Sequence, residues 1–267
     1  MEIPDLNMNP PPLSSTSVKR TVLITGGSQG IGFAVAQKCL AEGCRVILVA
    51  RNLRNLEEAS QRLQADGASG ADIEIVEGDM LDCEGIPALV AKLPWVQEGL
   101  WGLVPNAALE ILKTVKDFEY VEILDTLKIN VISPILLIKA CYPLLKKVQG
   151  NVVYVGSIAD SKNDARYSVY GGSKAFMKSF VGHAGQEMGF DGLRINLVSP
   201  GGTDTELMRR LLADGTIPEE PFRAFVNSVP MEQRLGRPDE MADAVWFALS
   251  GPRYFHGEDI RIYGGHK

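Results

Sequence analysis

The sequence is short of the features that mark several large functional classes. Its four cysteines, Cys39, Cys44, Cys83 and Cys141, stand in no C-x-x-C or metal-finger spacing. They read as buried small hydrophobes in a reducing compartment, with no metal site among them. No stretch reaches the ~18 uninterrupted apolar residues of a membrane span. The nearest, Ile129 to Leu145, is broken by Asn130, Pro134 and Lys139. Positive charge is also short, with 27 Lys and Arg against 33 Asp and Glu and a net charge of −6. Nucleic acid and anionic membrane both call for a basic field, so neither is an expected partner. The N-terminus has no basic region followed by an apolar core, and its acids Glu2 and Asp5 precede the first arginine, Arg20. A secretory signal or presequence is therefore not expected, and a cytoplasmic location is. Residues 1–17 read as a flexible Pro/Ser tail.

What is present is an alternation of short apolar runs with helical patterns. Thr21–Thr25, Arg45–Val49, Ile73–Val76, Leu100–Val104, Asn151–Val155, Leu193–Val198 and Ile260–Tyr263 read as strands. Helical spacing runs from Ile31 to Leu40 and from Leu53 to Ala65, and near 84–92, 117–147, 168–188 and 238–249. Near-continuous apolar strands between helices predict a parallel sheet covered on both faces, a doubly wound α/β fold. The alternation passes residue 150 without a linker, so 18–267 reads as one domain. Residues 204–230 break the rhythm with charges, Pro218, Pro221 and i, i+4 apolar pairs such as Leu207/Leu211 and Phe222/Val226. That spacing predicts two short helices jointed at Gly215 and Pro218, and a substrate lid.

Where the first strand meets the first helix stands Thr25-Gly26-Gly27-Ser28-Gln29-Gly30-Ile31-Gly32. Glycines there allow a tight turn and close backbone approach to a pyrophosphate, and the helix N-terminus favours phosphate. The second strand ends in Arg51-Asn52, with no acid to bond a ribose 2′-hydroxyl. A guanidinium pairs with a 2′-phosphate, so NADP is expected over NAD; the alternative is a solvated arginine with Asn52 as a helix cap.

Tyr170 and Lys174 lie one helical turn apart and share a face. Ser157 ends the fifth strand, and Asn130 lies within a long helix. A phenol titrates near ~10 and needs nearby positive charge to work at neutral pH. Lys174 and an oxidised nicotinamide could supply it, leaving Tyr170 to exchange a proton with a substrate oxygen that Ser157 also bonds.

Together these residues, with Pro200-Gly201-x-x-x-Thr205, make the chain resemble the classical short-chain dehydrogenase/reductase family over nearly all of residues 19–265. The resemblance implies a Rossmann-type fold with a seven-stranded sheet. It implies Tyr170 as proton donor or acceptor, Ser157 as substrate orienter, and Lys174 as the residue that holds the nicotinamide ribose and lowers the Tyr170 pKa. Asn130 would hold a water linking Lys174 to solvent. Gly26, Ser28, Gln29, Gly30, Ile31, Gly32, Arg51, Asn52, Asp79, Met80, Asn106, Pro200, Gly201, Thr203 and Thr205 would join Tyr170 and Lys174 in binding the cofactor. Family members commonly assemble through paired helices, so a homotetramer is expected, with a dimer as the smaller alternative.

Two departures stand out. Pro105-Asn106-Ala107-Ala108 replaces the usual Asn-Asn-Ala-Gly, and Tyr263-Gly264-Gly265 replaces Asp-Gly-Gly. Pro105 has no backbone N–H to give, and Ala108 adds a methyl. The expected function is NADP-dependent reduction of a ketone, or oxidation of the secondary alcohol. Two alternatives are a 3-oxoacyl-thioester reductase and a catalytically silent dinucleotide-binding regulator. Against the thioester reading, Asp191 stands where such reductases often have a basic residue. The charged segment from Ile158 to Arg166 suggests a polar substrate met by Lys162, Arg166 or Asp160, or else a solvated loop.

Overall fold

The computed structural model describes residues 19–265, so the tail expected at 1–17 lies outside the described residues. Seven strands form one parallel sheet: β1 (Thr21–Thr25), β2 (Arg45–Ala50), β3 (Ile73–Glu77), β4 (Gly102–Val104), β5 (Asn151–Val155), β6 (Arg194–Pro200) and β7 (Asp259–Ile262). Their order is β3-β2-β1-β4-β5-β6-β7. In register, Val22 pairs with Val46 on one side and Gly102 on the other.

Helices cover both faces, and this is why the strands read as unbroken apolar runs. Leu23, Ile47, Leu103, Val152 and Tyr154 point into a core shared with α3 (Ile86–Ala91), α5 (Ser133–Val148) and α6 (Ser168–Met188). The alternate residues Val22, Ile24, Val46, Leu48 and Val153 face α1 (Gly30–Ala41), α2 (Leu53–Ala65) and α9 (Pro238–Ser250). The period-2 alternation of strand side chains divides them between the two cores. Cys39, Cys44 and Cys141 are buried, while Cys83 is only half-buried.

The helix expected over 117–147 starts later and is interrupted. Val115–Asp117 forms a 3₁₀ turn, and α4 (Tyr120–Leu127) begins behind a capping box of Glu119 and Glu122. A π-turn over Lys128–Ile132 then joins α4 to α5. The fourth strand also begins later than its apolar run, because the Leu100 N–H is used on the Leu144 carbonyl.

Residues 204–230 form the two expected short helices, α7 (Glu206–Ala213) and α8 (Glu219–Asn227). Gly215 lies between them at φ +73°. Strand order reverses between β1 and β4, and beyond the carboxyl ends of the strands such a sheet leaves a crevice. Among the described residues, no helix is long and apolar enough to cross a membrane.

Candidate active site

A cavity of about 990 Å³ opens at that reversal. The turn between β1 and α1 forms one wall. Gly26 takes φ +65° there, and a Cβ on Gly32 would collide with the Gly26 carbonyl and stand 2.6 Å from Asn106 Nδ2. Asn106 locks the turn, since its Nδ2 donates to the carbonyls of Thr25 at 2.9 Å and Gly26 at 3.2 Å. The Asn106 N–H also donates to Thr25 Oγ1 at 3.0 Å. Pro105 gives no N–H to this junction, yet its carbonyl accepts from Val155 N at 3.1 Å, so β4 and β5 stay joined. Helix α1 starts at Gln29 with no side-chain cap and no acid in its first turn. Ser28, Gln29, Gly30 and Ile31 line the cavity there, so the uncapped positive end of the helix faces it.

Arg51 lines the same cavity, is exposed, and among the described residues has no hydrogen bond or ion pair. Asn52 lines it too, but its side chain caps α2 by accepting from Asn55 N at 3.1 Å. Asp79 is exposed at the rim and folds back to accept from Leu81 N at 2.9 Å. Met80 is mostly core. The segment from Pro200 to Thr205 closes the other side. Thr203 bridges to Gly236, and a Cβ on Gly30 would stand 3.3 Å from Thr205 Cγ2. Uncapped helix end, glycine turn and unengaged arginine on one long cavity fit a dinucleotide phosphate group.

Ser157 and Tyr170 meet at the middle of the cavity. The Ser157 side chain accepts from Ala159 N at 3.2 Å and hydrogen-bonds the Tyr170 hydroxyl. Helix α6 reaches this close because a Cβ at Gly171 would stand only 2.6 Å from the Ala159 carbonyl. Lys174 is buried, with its Nζ 5.7 Å from the Tyr170 ring centre. Burial pulls its pKa down to about 8. Burial also pushes the Tyr170 phenol well above its usual range, and Glu110's charge adds to that, while the Ser157 bond opposes it. The chain's own groups thus hold the Tyr170 phenol up, where the resemblance had Lys174 bringing it down.

Asn130 is fully used. Its Oδ1 accepts from Leu109 N at 2.8 Å, and its Nδ2 donates to Leu109 O at 2.9 Å and Ser173 Oγ at 3.0 Å. Its carbonyl accepts from the Tyr154 hydroxyl at 2.9 Å.

Of the charges expected to meet a polar substrate, Lys162 and Arg166 line the cavity and Asp160 does not, and all three have partners within the chain. Asp160 pairs with Arg261 and Lys178. Arg166 donates to the carbonyls of Thr216 and Leu112, both at 2.8 Å. Lys162 pairs with Asp164 and lies over the Phe225 ring. The carboxylate that does line the cavity near Tyr170 is Glu110, hydrogen-bonded to Tyr167 and held above the usual carboxylate range by burial. Its place directly beyond the carboxyl end of β4 was the available sequence signal. Tyr154, an interior strand residue, gave none.

A family model described as short chain dehydrogenase matches residues 20–215. The chain is 30% identical to a 3-oxoacyl-[acyl-carrier-protein] reductase of Pseudomonas aeruginosa, with 92% of this chain and 96% of that protein aligned. It is 31% identical to dehydrogenase/reductase SDR family member 4 of Homo sapiens, over 92% and 87% of the two chains. A short chain dehydrogenase from Burkholderia cenocepacia, solved in complex with NADP, superposes with a TM-score of 0.80 at 28% identity, covering 93% of this chain and 97% of that one.

Proposed function

The chain belongs to the short-chain dehydrogenase/reductase family, and from that premise we propose that it moves hydride between NADP(H) and a ketone or secondary alcohol, with Tyr170 as acid/base. The observation that carries this reading is the Ser157–Tyr170 hydroxyl pair on the cavity wall with the Lys174 ammonium beside it. A carbonyl oxygen arriving there replaces one hydroxyl–hydroxyl bond with two bonds to itself.

The glycine turn, Arg51, Asp79, Lys174 and the Pro200–Thr205 segment would hold the dinucleotide. When bound, NADPH supplies the hydride and leaves a cationic nicotinamide. In the reductive direction Tyr170 gives its proton to the substrate oxygen as that oxygen gains charge. Ser157 donates a second bond to the same oxygen and stabilises it. Lys174 stabilises the phenolate left on Tyr170. In oxidation the same proton returns.

Support for NADP over NAD comes from the unengaged Arg51 and the NADP-bound relative. The apolar residues of α7 and α8, among them Leu207, Met208 and Phe222, face the cavity; we assign them to a lid over the substrate. At the site where a thioester reductase often has a basic residue, Asp191 is held by Tyr142 at 2.8 Å and Lys146 at 2.7 Å. A small carbonyl compound is therefore favoured over a carrier-bound thioester.

For assembly, a homotetramer fits the exposed Tyr120, Val121 and Leu127 on α4 and Phe176 on the adjoining α6. The function is tested by following NADPH absorbance over a panel of ketones and aldehydes. Oxidation of NADPH by a subset of the panel supports the reading. No turnover by a protein that binds NADPH supports a silent dinucleotide binder in its place.

A further inference from the structure

The Lys174 ammonium meets the Tyr154 hydroxyl at its buried end. Lys174 is 2% exposed, and its ammonium has three N–H donors. It donates to Val155 O at 3.0 Å and to Tyr154 Oη at 3.2 Å, which leaves one donor for the cavity that Lys174 lines. The Tyr154 hydroxyl has one proton, committed to the Asn130 carbonyl at 2.9 Å. Its lone pairs therefore face Lys174, and it can only accept from it. The Val155 carbonyl can only accept as well. Both oxygens can only accept, and an ammonium donates to them more strongly than a neutral amine would, so this pair favours the charged form.

The chain from Lys174 through Tyr154 ends on an amide carbonyl, which cannot pass a proton on. Burial holds the Tyr154 phenol well above its usual range, so it stays a neutral dipole. The groups facing Lys174 from the surrounding elements are Tyr154 on β5, Tyr170 on α6 and Glu110 after β4, whose charge also favours the ammonium.

We propose that Tyr154 is a positioning residue: its hydroxyl, oriented by the Asn130 carbonyl, keeps Lys174 protonated and aimed into the cavity, and fills the space behind it with a side chain. The inference rests on the reading of Lys174 as a cofactor-binding and catalytic group.

Tyr154→Phe keeps the ring and removes the hydroxyl. The test follows NADPH binding by fluorescence from pH 6 to pH 10, with turnover of a reducible ketone in parallel. Losing one charge-assisted bond lowers the alkaline midpoint of both curves by on the order of one pH unit. At pH 8 the variant binds and turns over roughly fivefold less well than wild type, at pH 6 the two differ less than about twofold, and KM for the ketone is unchanged. Tyr154→Met, which also lacks the hydroxyl, shows the same shift should the Phe variant fold poorly. A hydroxyl that merely supports the fold changes thermal stability and leaves both midpoints in place; that result overturns the proposal alone. A wild-type protein that binds NADPH but turns over no carbonyl overturns the proposed function, and the binding midpoint still decides the role of Tyr154. A wild-type protein that binds no dinucleotide overturns both.

Discussion

The Arg166 guanidinium donates to the Thr216 carbonyl at 2.8 Å, so the loop that follows Ser157 grips the joint between α7 and α8. The same guanidinium holds the Leu112 carbonyl, beyond Glu110. Arg166 itself takes φ +74°, which an L residue adopts only when its surroundings require it. Three segments around the cavity are thereby latched by one side chain.

From this latch follows the first prediction, on the lid. Limited proteolysis near Gly215 should proceed in the free protein despite this latch and become slower once NADPH and substrate are both bound. Arg166→Met should speed cleavage in the free protein several-fold. Equal, slow cleavage with and without ligands would show the two helices to be fixed core.

The second prediction concerns cofactor choice. Wild type should bind NADPH more tightly than NADH, and Arg51→Asp should abolish or reverse the preference. A charge-assisted pair of this kind is worth about 1.5–3 kcal/mol, or roughly tenfold to a hundredfold in Kd. Isothermal titration with the two dinucleotides measures it. Equal wild-type affinities would mean that Arg51 points into water.

The third prediction is a pH dependence with a fixed sign. Lys174 titrates at about 8 in the folded protein against 10.5 for the unperturbed group, chiefly because it is buried. Between those values the unfolded chain binds the extra proton, so this group adds stability as pH rises from 8 to 10.5. Lys174→Met should lose that rise. Denaturant midpoints at the two ends of the interval test it, and an identical rise in the variant would assign the effect to other groups.

The fourth concerns assembly. Light scattering should give a tetramer at micromolar concentration, and Phe176→Glu on the exposed face of α6 should reduce it to a smaller species. A mass near the 29.0 kDa of one chain for wild type would contradict this.

How far the sequence could be read depends on where each partner lies along the chain. Tyr170 and Lys174 were legible because one helical turn fixes their shared face, and the glycine turn because strand, glycines and helix are contiguous. The charged loop left Asp160 open between substrate contact and solvent, because its partner Arg261 lies 101 residues further on and nothing in the loop shows that pairing. Tyr154 was invisible for a related reason. On a strand it occupies an inward position like any large apolar residue, and its partner, the Asn130 carbonyl, lies in the π-turn over Lys128–Ile132, which the sequence pattern does not show. Arg51 was legible as a candidate, and its freedom from internal partners was not.

Tyr170→Phe tests the central claim most directly. The change keeps the ring against Tyr167 and Lys174 and removes the acid that meets the substrate oxygen. Loss of a positioned acid/base costs ~10²–10⁴ in rate. The measurement is kcat for ketone reduction alongside the Kd for NADPH. The account predicts a fall in kcat of that size with the Kd nearly unchanged, whereas near-normal turnover by the variant would contradict it.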